Sequence, residues 1–227
     1  MVLAIAALGV GLSACSSSSS SSSTTSPANG QLVGTFKITA GSCSGTTTSG
    51  SYFRMVQSGG TTTAGPFVPN GDSTCATTTY SLLSPGTDGG LSTDSYQTQP
   101  TNPFDASKNG VAAKIIQPVK FFAVNFALSS NPTDPHSSLK VPAPSIKVTG
   151  GKLSGNLSAL SVAWNGQQFN QGAPKPDGSL PGNTADATGT YDATTGAYTL
   201  NWSSQIVGGP FNGFTGVWHL EGAFAKK

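Results

Sequence analysis

Residues 31–39 alternate strictly: Leu32, Gly34, Phe36 and Ile38 fall on one face, Val33, Thr35, Lys37 and Thr39 on the other. A period of two is the mark of a strand with one buried face. A second short strand follows at 52–56. Residues 59–76 are rich in Gly, Thr and Pro and read as a loop, and 77–83 reads as an edge strand ended by Ser84-Pro85-Gly86 and Asp88-Gly89-Gly90. The most apolar stretch is 114–128. Phe122, Val124, Phe126 and Leu128 share one face there and Phe121, Ala123, Asn125 and Ala127 the other, which predicts a central strand buried on both sides, begun after Pro118. Residues 131–144 hold four prolines and predict a connecting loop.

Alternation returns over 145–162, around Gly150-Gly151. The strongest local signal comes next, Val162-Ala163-Trp164-Asn165-Gly166-Gln167-Gln168-Phe169. Asn-Gly between strand-like runs predicts a two-residue type I′ hairpin, because both central residues need positive φ. That turn pairs Trp164 with Gln167 and Val162 with Phe169. Residues 170–183 form a Pro/Gly loop. The C-terminal third reads as a meander: 188–191, a turn over 192–196, then 197–203. After the break at Gly208-Gly209-Pro210 comes a last strand over 214–224, where glycines alternate with Phe214, Trp218 and Phe224. Glycine between rings signals curvature or close backbone approach. Together these segments predict an all-β fold, an antiparallel β-sandwich or β-barrel of about 9–11 strands with little or no helix. Residues 30–227 are expected to form one domain.

Composition sharpens this picture. Only 9% of residues are charged, against roughly 25% in an average domain, and 29 Gly with 15 Pro favour short strands and tight turns. With one Glu (Glu221) and one Arg (Arg54), ion pairs cannot line a helix surface. The net charge of +2 is scattered, so no basic patch points to nucleic acid.

Candidate chemistry is sparse. His219 and Glu221 lie two apart on one strand and so point to the same side, the minimum for acid–base work in a hydrolase, yet they equally form the polar face of an amphipathic strand. Gly-x-Ser-x-Gly is absent. Asp134 and His136, with Asp105, Asp177-Gly178 and Asp88-Gly89, carry metal-donor atoms, but no stretch matches a calcium loop and such residues form turns first. No metal, cofactor or catalytic set is expected. A binding surface for a neutral polar ligand is better supported. Trp164, Phe169 and Phe211 are interspersed with the amides Gln167, Asn170, Gln171 and Asn212; rings stack on sugars while amides supply directional hydrogen bonds. The loops 170–183 and 210–213 are the favoured contacts, since loops carry function on rigid β scaffolds.

The N-terminus supplies an address. The apolar run 2–12 is shorter than the roughly 20 residues that span a bilayer. It leads into Leu12-Ser13-Ala14-Cys15 and eight serines at 16–23. This pattern resembles the signal of bacterial lipoproteins: a short hydrophobic segment, small residues at the cleavage site, and a cysteine that receives lipid. The resemblance implies a signal peptide over 1–14, lipidation of Cys15, and a Ser-rich tether over 15–29 that holds no bulky apolar side chain and cannot form a core. A positive residue before Val2 is missing, which predicts a true start upstream of Met1. Cys43 and Cys75 then remain as an even pair in an exported, oxidised chain and are read as one disulfide. The segment from Gly189-Thr190-Tyr191 through Trp218-His219-Leu220-Glu221-Gly222 is similar to the closing strands of exported bacterial proteins of unknown function, and this likeness implies no activity. The sequence therefore points to a lipid-anchored extracytoplasmic protein of the cell envelope. Its role is non-enzymatic binding of a neutral polar ligand or an envelope component such as a glycan, or surface architecture without a pocket. Metabolic labelling with palmitate checks the address: incorporation is expected in the wild type and lost in Cys15→Ala, and equal labelling of the two contradicts it.

Overall fold

The structure is a computed structural model that describes Met1 and residues 28–227. Cys15 and most of the serine tether lie outside the described residues. Seventeen strands and no helix occur among those described. In chain order they are β1 (Gly30–Leu32), β2 (Gly34–Ile38), β3 (Ser42–Ser44), β4 (Thr47–Ser49), β5 (Tyr52–Thr61), β6 (Gly65–Phe67), β7 (Ser81–Leu82), β8 (Gly90–Ser92) and β9 (Val119–Phe121). They continue as β10 (Val124–Ser130), β11 (Ser145–Thr149), β12 (Lys152–Asn156), β13 (Leu160–Trp164), β14 (Gln167–Asn170), β15 (Ala185–Tyr191), β16 (Ala197–Gln205) and β17 (Thr215–Lys226).

An 11-stranded antiparallel sheet runs β1-β11-β12-β15-β16-β17-β2-β8, with β5, β6 and β7 branching from β17. A 4-stranded sheet, β14-β13-β10-β9, packs against it in a curled, sandwich-like arrangement. The long strand β17 organises the large sheet. It pairs with β16 along nine residues of one edge, and on the other edge first with β5 and then with β2. Between those two partners the chain leaves the sheet to form the β3–β4 hairpin. The gap is stitched by Glu221: its carbonyl accepts the Thr39 N–H (2.8 Å), and its Oε1 accepts the Gly50 N–H (2.8 Å). Close approach also explains Gly222, where any Cβ would overlap the carbonyl of Lys37.

The alternating pattern read correctly where turns are short. Asn165 and Gly166 adopt φ of 48° and 71°, and the hairpin pairs Trp164 with Gln167 and Val162 with Phe169. Gly150 and Gly151 (φ 54° and 74°) form the equivalent turn between β11 and β12. The β15–β16–β17 meander is present.

Four expectations are corrected. The strand count is seventeen rather than about 9–11, because several predicted strands are divided and the predicted loop 59–76 contributes one of its own. The run 31–39 breaks at Val33, where the chain passes from pairing β11 to pairing β17. The Thr93 hydroxyl fills the break, accepting from Gly34 N–H (3.1 Å) and donating to Leu32 O (2.6 Å). The run 114–128 is a hairpin, not one strand. Phe122 and Ala123 turn the chain with φ of 52° and 63°, an arrangement costing L-residues about 1 kcal/mol or more each. The Asp72 carboxylate offsets part of this by accepting the Ala123 N–H (2.7 Å). Finally, the predicted loop 59–76 contains β6 and the end of β5, while the predicted edge strand 77–83 shrinks to β7.

One core cluster draws on residues from Leu32 to Phe224. Its centre is an aromatic layer between the sheets. Phe53 and Trp218 of the large sheet meet Phe126 of the small one at ring distances of 5.3 and 5.9 Å. Cys43 and Cys75 form the expected disulfide, their Cα atoms 5.5 Å apart. It ties the β3–β4 hairpin, which pairs with no other strand, to the loop before β7. Closing a loop of 32 residues stabilises by about 3–4 kcal/mol on the chain-entropy model. Urea unfolding of the Cys43→Ala/Cys75→Ala double variant is expected to show a loss of that size with unchanged far-UV dichroism. A change below about 1 kcal/mol would mean that the hairpin is held without the crosslink.

Candidate functional site

The aromatic and amide residues singled out from the sequence divide between core and surface. Trp164, Phe169, Gln171 and Phe211 line one cavity, together with Phe53, Phe121 and Trp218. Its volume is about 30 Å³, room for a water molecule or two and not for a sugar ring. Trp164 donates its indole N–H to Phe121 O (2.8 Å), clamping β13 to the β9–β10 hairpin. Gln171, 2% exposed, is consumed by two other indoles: its main-chain carbonyl accepts from Trp202 (2.8 Å) and its Oε1 from Trp218 (3.1 Å). Phe211 packs against Trp164, Phe122 and Phe214. Asn212 accepts the Gly208 N–H and shapes its own loop (2.8 Å), and Gln167 is exposed beside Gly209. These positions therefore hold the scaffold, with Gln167 and Asn212 at the surface.

His219 and Glu221 do meet, with Nε2 and Oε2 3.3 Å apart. The other imidazole nitrogen contacts Asn201 Oδ1 at 2.7 Å, and the ring stacks on Tyr52 at 4.8 Å. Glu221 is already engaged at the strand seam. The pair sits on the sheet face as a structural patch, beside Arg54, whose guanidinium lies between the Phe67 and Tyr80 rings.

A different place gathers polar groups around open space. The loops 131–144, 170–183 and 206–213 converge on a crevice of about 290 Å³, lined by Asp134, His136, Leu139, Asn170, Lys175 and Val207 among others. Its floor is buried and polar. Asp134 is 1% exposed and accepts from Asn170 Nδ2 (2.9 Å), Ser137 N (2.7 Å) and Ser137 Oγ (2.8 Å). Lys175 is 6% exposed and donates to Ser204 Oγ (2.7 Å) and Asn170 O (3.1 Å). Asn170 joins the two: its side chain also bonds Ser158 O and the Gly172 N–H, so this predicted ligand residue serves as a hub. The rim is mixed, with exposed His136, Ser137 and Asp177 beside the exposed apolar Leu139 and Val207.

Asp134, His136 and Asp177, considered from the sequence as metal donors, thus share this crevice, whereas Asp105 caps a distant turn through Ser107 and Asn109. Asp177 likewise bonds Ser179. Among the described residues no three His, Cys, Asp or Glu side chains come together as a metal cluster. Sequence reasoning missed Lys175 altogether. A lysine between two prolines (Pro174 and Pro176) in a loop gives no signal of burial, which follows only from the strands packed behind it.

No family model, curated protein or solved structure matches the chain.

Burial pushes the Lys175 ammonium down to about 8, against the opposing attraction of Asp134 and Asp177. The native state therefore releases this proton before the unfolded chain does. Between pH 8 and 10.5 the unfolded chain holds the extra proton, so stability rises with pH across that window. Urea midpoints measured at pH 7.5 and 10 are expected to show this contribution, roughly 2–3 kcal/mol, in the wild type relative to Lys175→Met. Parallel pH dependence in both proteins would contradict it.

Proposed function

We propose that the chain is a lipid-anchored extracytoplasmic binding module of the cell envelope, without enzymatic turnover, and that its ligand is a small neutral polar molecule seated in the crevice between the loops 131–144, 170–183 and 206–213. The observation that carries this reading is the pairing of a buried polar floor, Asp134 and Lys175, with exposed apolar side chains, Leu139 and Val207, at the rim of the same space. Apolar side chains left in water around convergent polar groups are what a ligand site requires. The volume lies at the lower edge of the roughly 300–1,000 Å³ common for such sites, which suits a monosaccharide-sized molecule.

Neutrality follows from the lining. Two acids to one amine disfavour an anion, while Asp134 is already bonded to Asn170 and Ser137 and Asp177 to Ser179, so neither acid is free to pair with a cation. The membrane attachment rests on the Leu12-Ser13-Ala14-Cys15 pattern and is supported by the low charge and the disulfide, both suited to an exported protein. The hydrolase alternative at His219 and Glu221 draws no support from their surroundings, where the carboxylate already holds backbone together.

A panel of neutral sugars and polyols screened by thermal shift and calorimetry tests the site. Binding is expected to weaken at least tenfold in His136→Ala/Val207→Asp, two exposed positions, and to persist in Phe211→Ala. Binding that is insensitive to the double variant but lost in Phe211→Ala would move the site to the aromatic loop.

A further inference from the structure

Lys175 is held in an unusual manner for a buried cation. Asp134, the acid that acts on it most strongly, has both oxygens committed to Asn170 and Ser137, and the one ion pair among the described residues is His219 with Glu221. Two neutral acceptors contact the amine, Ser204 Oγ and Asn170 O. Ser204 donates its own proton to Gly172 O (2.8 Å), so toward Lys175 it acts as an acceptor. An ammonium carries three N–H donors and no lone pair. A neutral amine carries two donors and one lone pair. Two acceptors therefore match the neutral form and leave its lone pair unengaged, while the ammonium would keep one buried donor without a protein partner.

We propose that Lys175 is a nucleophilic amine, and that the crevice captures small neutral polar molecules bearing an aldehyde or ketone carbonyl as an imine on its Nζ. This rests on the crevice being the binding site and specifies its ligand class. The amine lone pair attacks the carbonyl carbon, forming the C–N bond as the C=O π pair moves to oxygen, which takes up a proton. In the carbinolamine the nitrogen lone pair then forms the C=N bond as the C–O bond breaks; the hydroxyl takes up a proton and leaves as water, and nitrogen gives up its one remaining proton. The balance is amine plus carbonyl compound giving imine plus water, with no oxidant or reductant. His136 lines the same crevice and can relay the proton to the departing hydroxyl. The acids Asp134 and Asp177 disfavour anionic carbonyl compounds such as keto acids.

The lowered proton affinity supports the same chemistry. With Lys175 near 8, roughly a quarter of the protein carries the free amine at pH 7.5, against about one in a thousand for an ordinary lysine. Burial by itself argues the other way only if the crevice is closed, and it is open to solvent through the exposed His136, Ser137 and Ser179.

The experiment is trapping of the full chain with glycolaldehyde and sodium cyanoborohydride at pH 7.5, followed by peptide mass mapping. Lys175 is expected to be alkylated at least tenfold faster than the exposed Lys37, Lys147 and Lys152 of the same molecules, and the rate is expected to fall severalfold in His136→Ala. Labelling of Lys175 at or below the rate of those surface lysines overturns the proposal. The neutral-ligand screen separates the two readings. A polyol that binds the crevice while Lys175 stays unlabelled leaves the binding site standing and removes the imine. Absence of both binding and labelling removes both.

Discussion

Two indole N–H groups must find acceptors inside an aromatic core, and the architecture turns on how that is done. Trp202 and Trp218 lie on adjacent strands of the large sheet, their rings parallel within 2° and 5.5 Å apart. Neither can reach water, and an unsatisfied buried donor costs about 1–3 kcal/mol. Both are answered by Gln171, one through its main chain and one through its side chain. Gln171 is the first residue after β14 of the small sheet. One residue therefore sets how the two sheets meet, and it fixes the point from which the loop 170–183 departs. The next links follow at once: Asn170 binds Asp134 of the loop 131–144, and Lys175 returns to Ser204 of β16. The crevice opens directly beside the residues that satisfy the tryptophans.

The small number of charged residues has a second consequence. Most acids with a visible role act on the backbone rather than on cations. Glu221 closes the seam between β2 and β5, Asp72 supports the strained Phe122-Ala123 turn, and Asp105, Asp177 and Asp192 each cap their own turns. Hydrogen bonds hold all three below the usual carboxylate range, led by the Asn109 side chain for Asp105, the Ser179 hydroxyl for Asp177 and the Thr194 N–H for Asp192. Acids spent in this way are not available to pair with lysines, so the one deeply buried lysine faces neutral acceptors.

Local rules made part of this legible. Asn165-Gly166 specifies positive φ at adjacent residues, so its hairpin and register could be read directly, and the long alternating run ending at Phe224 identified the last strand; Gly150-Gly151 lay within an alternating run and proved to be a second such turn. The Cys43–Cys75 pair followed from parity in a chain read as exported. The hairpin at Phe122-Ala123 was hidden, because neither residue favours positive φ and the turn is held by Asp72, distant in sequence. The break at Val33 was hidden for a similar reason: alternation is continuous there, and only a change of partner strand divides it. For the site, the sequence indicated the loop 170–183 and placed Asn170 in it, but it nominated rings that the core absorbs.

The sequence by itself determined the all-β class, the tight-turn hairpins, the closing meander and the pairing of two cysteines, since each depends on the conformational preferences or covalent chemistry of residues close in sequence or few in number. Tertiary structure alone decided which aromatics are interior, that His219 and Glu221 belong to a strand seam, and that Asp134, Asn170, Lys175 and Ser204 meet beneath an open crevice. Burial and the supply of hydrogen-bond partners depend on what packs behind a residue, and for Lys175 those partners come from β14 and β16, which no pattern in its own loop records.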